Sequence, residues 1–172
     1  MLRIEMADLS DIPVIASRIY RTTRSAFYEY ASDVPPPGAM TDTPRDVEED
    51  LRTGSQALLA VLGDSGRVAG VVRWRVTKGQ LHFHRLAVIP SERRKGVASA
   101  LLKALITEAQ RQRCTSIACD VRIGVSRNVA LYEKFGFAHS AERIVSRGGF
   151  TVRLGVMSLP LNMDTTEFGK GE

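Results

Sequence analysis

The stretch VIPSERRKGVASALLKALI, Val88 to Ile106, decides the fold. An apolar run ends at Val88, and Pro90 interrupts it. From Gly96 to about Arg111, Val97, Leu101, Leu102, Leu105, Ile106 and Ala109 recur at helical spacing. Between the two stand Arg93, Arg94 and Lys95. Cations at a helix start oppose the helix dipole, whose positive end lies there. A local rule broken in this way marks a functional position. The first helical turn also leaves backbone N–H groups without partners, so a strand-to-helix corner of this kind suits an anion such as a phosphate. Gly96 removes a side chain from the approach, and Ala98 keeps the next outward position small.

Outward from this corner the chain reads as alternating elements. Arg3 to Met6 alternates as a short strand. Ser10 or Asp11 caps a helix with Pro13 in its first turn, running through Tyr20 toward Tyr28. SDVPPPGAM, residues 32–40, is a loop, because three prolines and a glycine cannot continue a helix. Thr43 caps a second helix with Pro44 at its first position. QALLAVLG and VAGVVRWRVT form a hairpin about the turn GDSG. LHFHRLAVI, residues 81–89, is a further strand, and SIACDVRI, residues 116–123, another. SRNVALYEKFGF is a short helix capped by Ser126 or Asn128 and closed by Gly136. A hairpin through AERIVSRGGFT leads into the last strand, TVRLGVMSLPL. The run from Leu81 to Ile123 is a strand-helix-strand unit, which makes its two strands parallel. The fold class is α+β, a mixed sheet of about seven strands flanked by about four helices. Residues 1–161 form one domain, and 162–172 form a polar tail.

Composition narrows the function. The chain has 172 residues, enough for one domain with a sizeable core. No apolar stretch approaches the roughly 20 residues that span a bilayer, and the N-terminus lacks the apolar segment of a signal peptide. A cytoplasmic protein is expected, with no membrane partner. Cys114 and Cys119 lack metal-ligand spacing, so they read as small buried hydrophobes, and no metal is expected. The net charge of +5 favours anionic partners. Only 6% of residues are aromatic, too few for the aromatic and basic interleaving of a single-strand binder, so nucleic acid is not expected.

LAVIPSERRKGVASALL resembles the cofactor-binding motif of the GNAT superfamily, the acyl-CoA-dependent N-acyltransferases. The family pattern, Gln/Arg-x-x-Gly-x-Gly/Ala, is met by Arg93, Gly96 and Ala98, with Val88 and Pro90 placed as expected. NVALYEKFGF, Asn128 to Phe137, resembles the family's second signature. The resemblance spans roughly residues 1–160. It implies a splayed sheet with acetyl-CoA as acyl donor. The pyrophosphate would lie along Arg93, Arg94, Lys95, Gly96, Val97 and Ala98, chiefly on backbone N–H groups. The pantetheine arm would pair with Leu86, Ala87 and Val88. Tyr132 matches the tyrosine that protonates the CoA sulfur, and Asn128 an asparagine that contacts the cofactor or caps its helix. Many relatives carry a glutamate base where this chain has His82. Strict alternation puts His82, His84 and Leu86 on one strand face and Phe83 and Arg85 on the other, so either histidine is a candidate base.

The acceptor site falls, by resemblance, on YEYASDVPPPGAM and AERIVSRGGFT. Tyr28, Glu29, Tyr30 and Asp33 there suit a cationic amine. Arg143, Arg147 and Arg153 suit an acidic acceptor or a solvated face. Trp74 reads as core. The expected activity is transfer of an acetyl group to a primary amine of a small molecule, by direct attack through a tetrahedral intermediate. A protein N-terminus or lysine as acceptor, and a non-catalytic acyl-CoA sensor, are the alternatives. A homodimer through late strands fits the apolar LGVMSLPL run.

Overall fold

The computed structural model describes residues 1–122 and 128–162. The expected cap Ser126 and the tail from residue 163 lie outside the described residues. Seven strands form one sheet in the order β1-β2-β3-β4-β5-β7-β6. They are β1 (Leu2–Met6), β2 (Gln56–Leu62), β3 (Arg67–Thr77), β4 (Gln80–Val88), β5 (Ser116–Arg122), β6 (Ala138–Arg147) and β7 (Phe150–Pro160). β4 and β5 are parallel, as the strand-helix-strand pattern requires, and the other pairs are antiparallel.

Among the described residues, five α-helices flank the sheet: α1 (Ile12–Phe27), α2 (Gly38–Thr41), α3 (Pro44–Arg52), α4 (Val97–Arg111) and α5 (Val129–Lys134). Local chemistry sets their starts. The Asp11 carboxylate accepts from the Val14 N–H, and Thr43 and Asp46 form a reciprocal capping box. The single-turn α2 interrupts what the prolines announced as a loop. Only Gly38 to Thr41, beyond the last proline, can turn helically.

The two sheet faces carry separate cores. α1 and α3 bury Ile15, Ile19, Val47 and Leu51 against Leu59, Val71 and Ala87. On the other face, α4 buries Leu101, Leu102 and Leu105 against Trp74, Leu81, Phe83 and Ile117. Each of those leucines is fully enclosed and contributes roughly 2 kcal/mol by burial. Trp74 is core, as its β3 position suggested.

The decisive irregularity is in β4. Arg73 pairs with His84 and Val71 with Ala87, so two residues of β4, Arg85 and Leu86, stand opposite Val72. Arg85 has φ of +56°. This bulge bends the strand. β4 and β5 stay paired only from Gln80–Ser116 to Phe83–Cys119. Beyond that point they part, and the β5-facing edge of β4 from His84 to Val88 is left open.

The bulge also corrects strict alternation. Leu86 falls in the α4-side core with Leu81 and Phe83, not with the histidines. Arg85 bonds Asp42, which also accepts from Arg73, the partner opposite His84. Arg85 therefore shares the histidine side of the sheet.

Candidate active site

A cleft of about 730 Å³ opens where β4 and β5 diverge. It runs from the start of α4 through the gap to the loop before α2, and it brings together His82, His84, Leu86, Val88, Asn128 and Tyr132. Ala87, Arg93, Arg94, Gly96, Val97 and Ala98 line it as well. Of the residues read as catalytic or cofactor-binding, only Lys95 is not in the wall; of the acceptor candidates, Tyr30 and Arg147 line it, and Tyr28, Glu29, Asp33, Arg143 and Arg153 do not. The Lys95 ammonium pairs with Glu92 at 3.2 Å in the exposed turn.

At the basic corner, Gly96 is the N-cap of α4 with φ of +81°, a left-handed conformation that favours glycine. A Cβ added there would meet nothing within 4 Å, so the ground beside it is open. Arg94 also takes positive φ, +61°. The N–H groups of Arg94, Lys95 and Gly96 donate to no acceptor among the described residues. Those of the first turn of α4 are free by helix geometry. Arg93 has a different character from its neighbours. Its guanidinium donates to the Ala26 carbonyl at 2.6 Å and the Val88 carbonyl at 3.3 Å, and pairs with Glu29 at 2.9 Å. It ties the end of α1 to β4, leaving anion contact at this corner to backbone N–H groups and to Arg94.

Tyr132 packs edge-on against Phe83 at 5.5 Å between ring centroids and beside Phe137. Burial, with a smaller push from Cys119, raises its phenol well above the ordinary value, and a hydrogen bond with the Asn128 side chain works the other way. The phenol stays protonated and presents an O–H donor. Asn128 occupies the N-cap position of α5 but makes no capping bond. Cys119 and Cys114 are buried free thiols. Burial and Asp120 push the Cys119 thiol up, so it is not a nucleophile.

On the opposite face lies a cluster that sequence reading missed. His84 Nε2 lies 3.0 Å from Asp50 Oδ2. The same carboxylate accepts from Arg73 at 2.7 Å and Ser55 at 2.6 Å. Burial works to raise the Asp50 carboxyl, but the His84 and Ser55 hydrogen bonds and the Arg73 charge outweigh it and hold it far below the usual range. Burial also dominates at His84. With Arg73 and Arg85 nearby it holds the imidazole below its usual value despite Asp50. His84 is thus neutral near pH 7. An ionised Asp50 can only accept, which puts the ring proton on Nε2 and leaves Nδ1 as acceptor. In the sequence Asp50 is one of several acids in the run after Pro44, and Arg73 simply adjoins Trp74. No local signal pairs them with a histidine on β4.

His82 is more exposed and faces Asp120 at 3.7 Å, beyond a hydrogen bond. Burial pushes the Asp120 carboxyl up, but His82 and Arg143, which bonds it, hold it below the ordinary value. Among the described residues no group of His, Cys, Asp and Glu could hold a metal ion.

This geometry provides a slot with an open strand edge, a corner of unpartnered backbone N–H groups, a buried O–H donor and a neutral imidazole. The Acetyltransferase (GNAT) family model matches residues 23–137. The [Ribosomal protein bS18]-alanine N-acetyltransferase of Escherichia coli strain K12 is 28% identical over 115 residues, 64% of this chain and 76% of that protein. The crystal structure of the Escherichia coli ribosomal-protein-S18-alanine N-acetyltransferase superposes with a TM-score of 0.74 at 21% identity, covering 97% of this chain and 98% of that one. A Bacillus subtilis acetyltransferase in complex with CoA gives a TM-score of 0.67 at 20% identity, covering 94% of this chain and 100% of that one.

Proposed function

This chain belongs to the GNAT acetyltransferase family, and on that premise we propose that acetyl-CoA enters the β4–β5 gap and that its acetyl group passes to a primary amine of a small molecule. The observation that carries the reading is the divergence after Phe83–Cys119, which leaves an open β4 edge leading from the anion corner to His84 and Tyr132.

The backbone N–H groups from Arg94 to Ala98 take the pyrophosphate, with Arg94 at the rim. The open edge at Leu86 to Val88 pairs with the amide-containing pantetheine arm, as a strand would. His84, neutral and held by Asp50, takes a proton from the acceptor ammonium directly or through water. His82 is the alternative base. The freed amine attacks the thioester carbonyl, the tetrahedral intermediate collapses, and the C–S bond breaks. Tyr132 donates its O–H to the departing sulfur, and the second proton lost by the amine nitrogen restores the phenol. With the Cys119 thiol held protonated, no acyl-enzyme is needed.

Two features bear on the acceptor. The Pro35–Gly38 segment is tied across the cleft. Arg122 of β5 donates to the Pro35 carbonyl at 2.6 Å. A Cβ on Gly38 would lie 2.5 Å from Arg85 Nη2 and 3.3 Å from Arg147 Nη1. Arg122 pins the Pro35 end of this loop, and Arg85 and Arg147 lie close against Gly38, which favours a small acceptor over a threaded polypeptide. The second reading, a protein N-terminal amine, is favoured by the name of the Escherichia coli relative. A homodimer through β6 also fits, since this edge strand leaves Ile144 70% exposed.

The test is CoA release from acetyl-CoA across a panel of small amines and N-terminal peptides. Turnover of small amines above peptides supports the first reading. Turnover confined to peptides replaces it with the second.

A further inference from the structure

We propose that the acceptor carries an anionic group beside its amine, a carboxylate or a phosphoryl group, held by Arg85, Arg122 and Arg147. This deepens the acetyltransferase reading and rests on it. The three arginines line the same cleft from three strands. They stand on the side of the sheet opposite α4 and Tyr132. Val121 and Cys119 of β5 belong to the α4-side core, so Asp120 and Arg122 project the other way, toward His82 and the Pro35–Gly38 loop. The anion corner at α4 and these arginines therefore serve opposite mouths of one slot.

The cations exceed the acids that face them. Asp42 is shared between Arg73 and Arg85, and Asp120 is bonded by Arg143. Asp33 stands 3.8 Å from Arg122 Nη1. That Nη1 is buried with no hydrogen-bond partner. Arg147 makes no ion pair or hydrogen bond among the described residues. Burial, then the like charges of Arg85 and Arg122, lower its guanidinium from the ordinary value, and Asp42 and Asp120 offset this only in part. Guanidiniums that press on one another while partly desolvated gain most from an anion that accepts from several at once. Among the described residues, the donors without a hydrogen bond are Arg85 Nη1, Arg122 Nη1 and the whole Arg147 fork. Arg85 adjoins His84 in the chain, so anion and amine are separated by a short span, as in an amino acid or an aminoalkyl phosphate.

The test saturates wild-type and Arg147→Gln proteins with CoA and follows melting temperature at constant ionic strength. The probes are inorganic phosphate and the common L-amino acids, each against its own carboxamide. The expected result is stabilisation by phosphate or by at least one acid, with no response to the matching carboxamide. Arg147→Gln should weaken that apparent affinity about tenfold, the size of one charge-assisted hydrogen bond, and should retain stabilisation by CoA. A stronger response to phosphate identifies a phosphoryl acceptor, and a stronger response to an amino acid identifies a carboxylate. Equal responses to acids and carboxamides, no response to any anion, or wild-type affinity in Arg147→Gln would overturn the subsite. Failure of CoA itself to stabilise the wild-type protein would instead count against the acetyl-CoA site on which it rests.

Discussion

His84 of β4 and Asp50 of α3 meet across the sheet face at 3.0 Å, and Arg73 closes the group by donating to the same carboxylate at 2.7 Å. Asp50 fixes the imidazole in one tautomer, while burial and the charges of Arg73 and Arg85 keep it neutral against the pull of that carboxylate. A histidine whose folded pKa is lowered from 6.5 keeps its basic form to lower pH than a free one. The acid limb of kcat/KM should therefore lie below pH 6.5. His84→Ala should remove that limb and cost about 100-fold in turnover. A pH–rate profile with an unchanged limb would move the base to His82.

The same group makes stability depend on pH. The unfolded chain protonates His84 and Asp50 more readily than the folded one does, so stability rises with pH wherever they titrate. The His84 contribution is complete above about pH 6.5 and declines below it. The Asp50 contribution is lost as pH falls from the ordinary carboxylate range toward its lowered value. Asp50→Asn leaves the buried Arg73 without its closest partner and should cost about 3 kcal/mol at neutral pH. Urea unfolding of wild type and of that variant at pH 7 measures the cost, and wild type followed from pH 7 to pH 5 and then below about pH 4 measures the His84 and Asp50 contributions in turn. A variant as stable as wild type at pH 7 would show that Arg73 is held by Asp42 alone.

Tyr132 is enclosed by Phe83 and Phe137 and keeps its proton. Tyr132→Phe preserves that packing and removes only the donor. Turnover should fall about tenfold or more with CoA affinity nearly unchanged. Equal turnover in single-turnover kinetics would leave Tyr132 a packing residue.

Gly38 shows how the acceptor mouth is set. Its Cα hydrogen occupies the one place where a methyl would press on the far end of the Arg85 side chain, 2.5 Å away. That end can move, so Gly38→Ala should leave the melting temperature almost unchanged while raising acceptor KM. Loss of stability with an unchanged KM would contradict this placement.

The parts of the fold with short-range causes were legible in the sequence. Pro44 after Thr43, the GDSG turn, and the spacing from Val97 to Ala109 each have a local mechanism, and each element formed where that mechanism put it. The face of Leu86 was not legible. Alternation is a rule for unbroken strands, and nothing around Arg85 announces a bulge. That one extra residue moved Leu86 into the core, brought Arg85 beside the histidines, and opened the gap. Arg93 shows the complementary limit. A basic residue in an anion motif is bound instead to the Ala26 carbonyl and Glu29, partners 67 and 64 positions away, which spacing cannot reveal. The Asp50–His84 contact, across 34 positions, is also beyond the reach of spacing.

The most direct measurement is a thermal-shift titration of the wild-type protein, Gly96→Ala and Gly96→Glu with acetyl-CoA, CoA and ATP. The alanine variant carries the backbone strain of φ +81° without a charge, and the glutamate adds a carboxylate to the corner. Both CoA species, but not ATP, should stabilise wild type, Gly96→Ala should retain part of that response, and Gly96→Glu should lose it. Equal stabilisation of Gly96→Glu and wild type by acetyl-CoA would contradict this, because the pyrophosphate would then bind somewhere other than the start of α4.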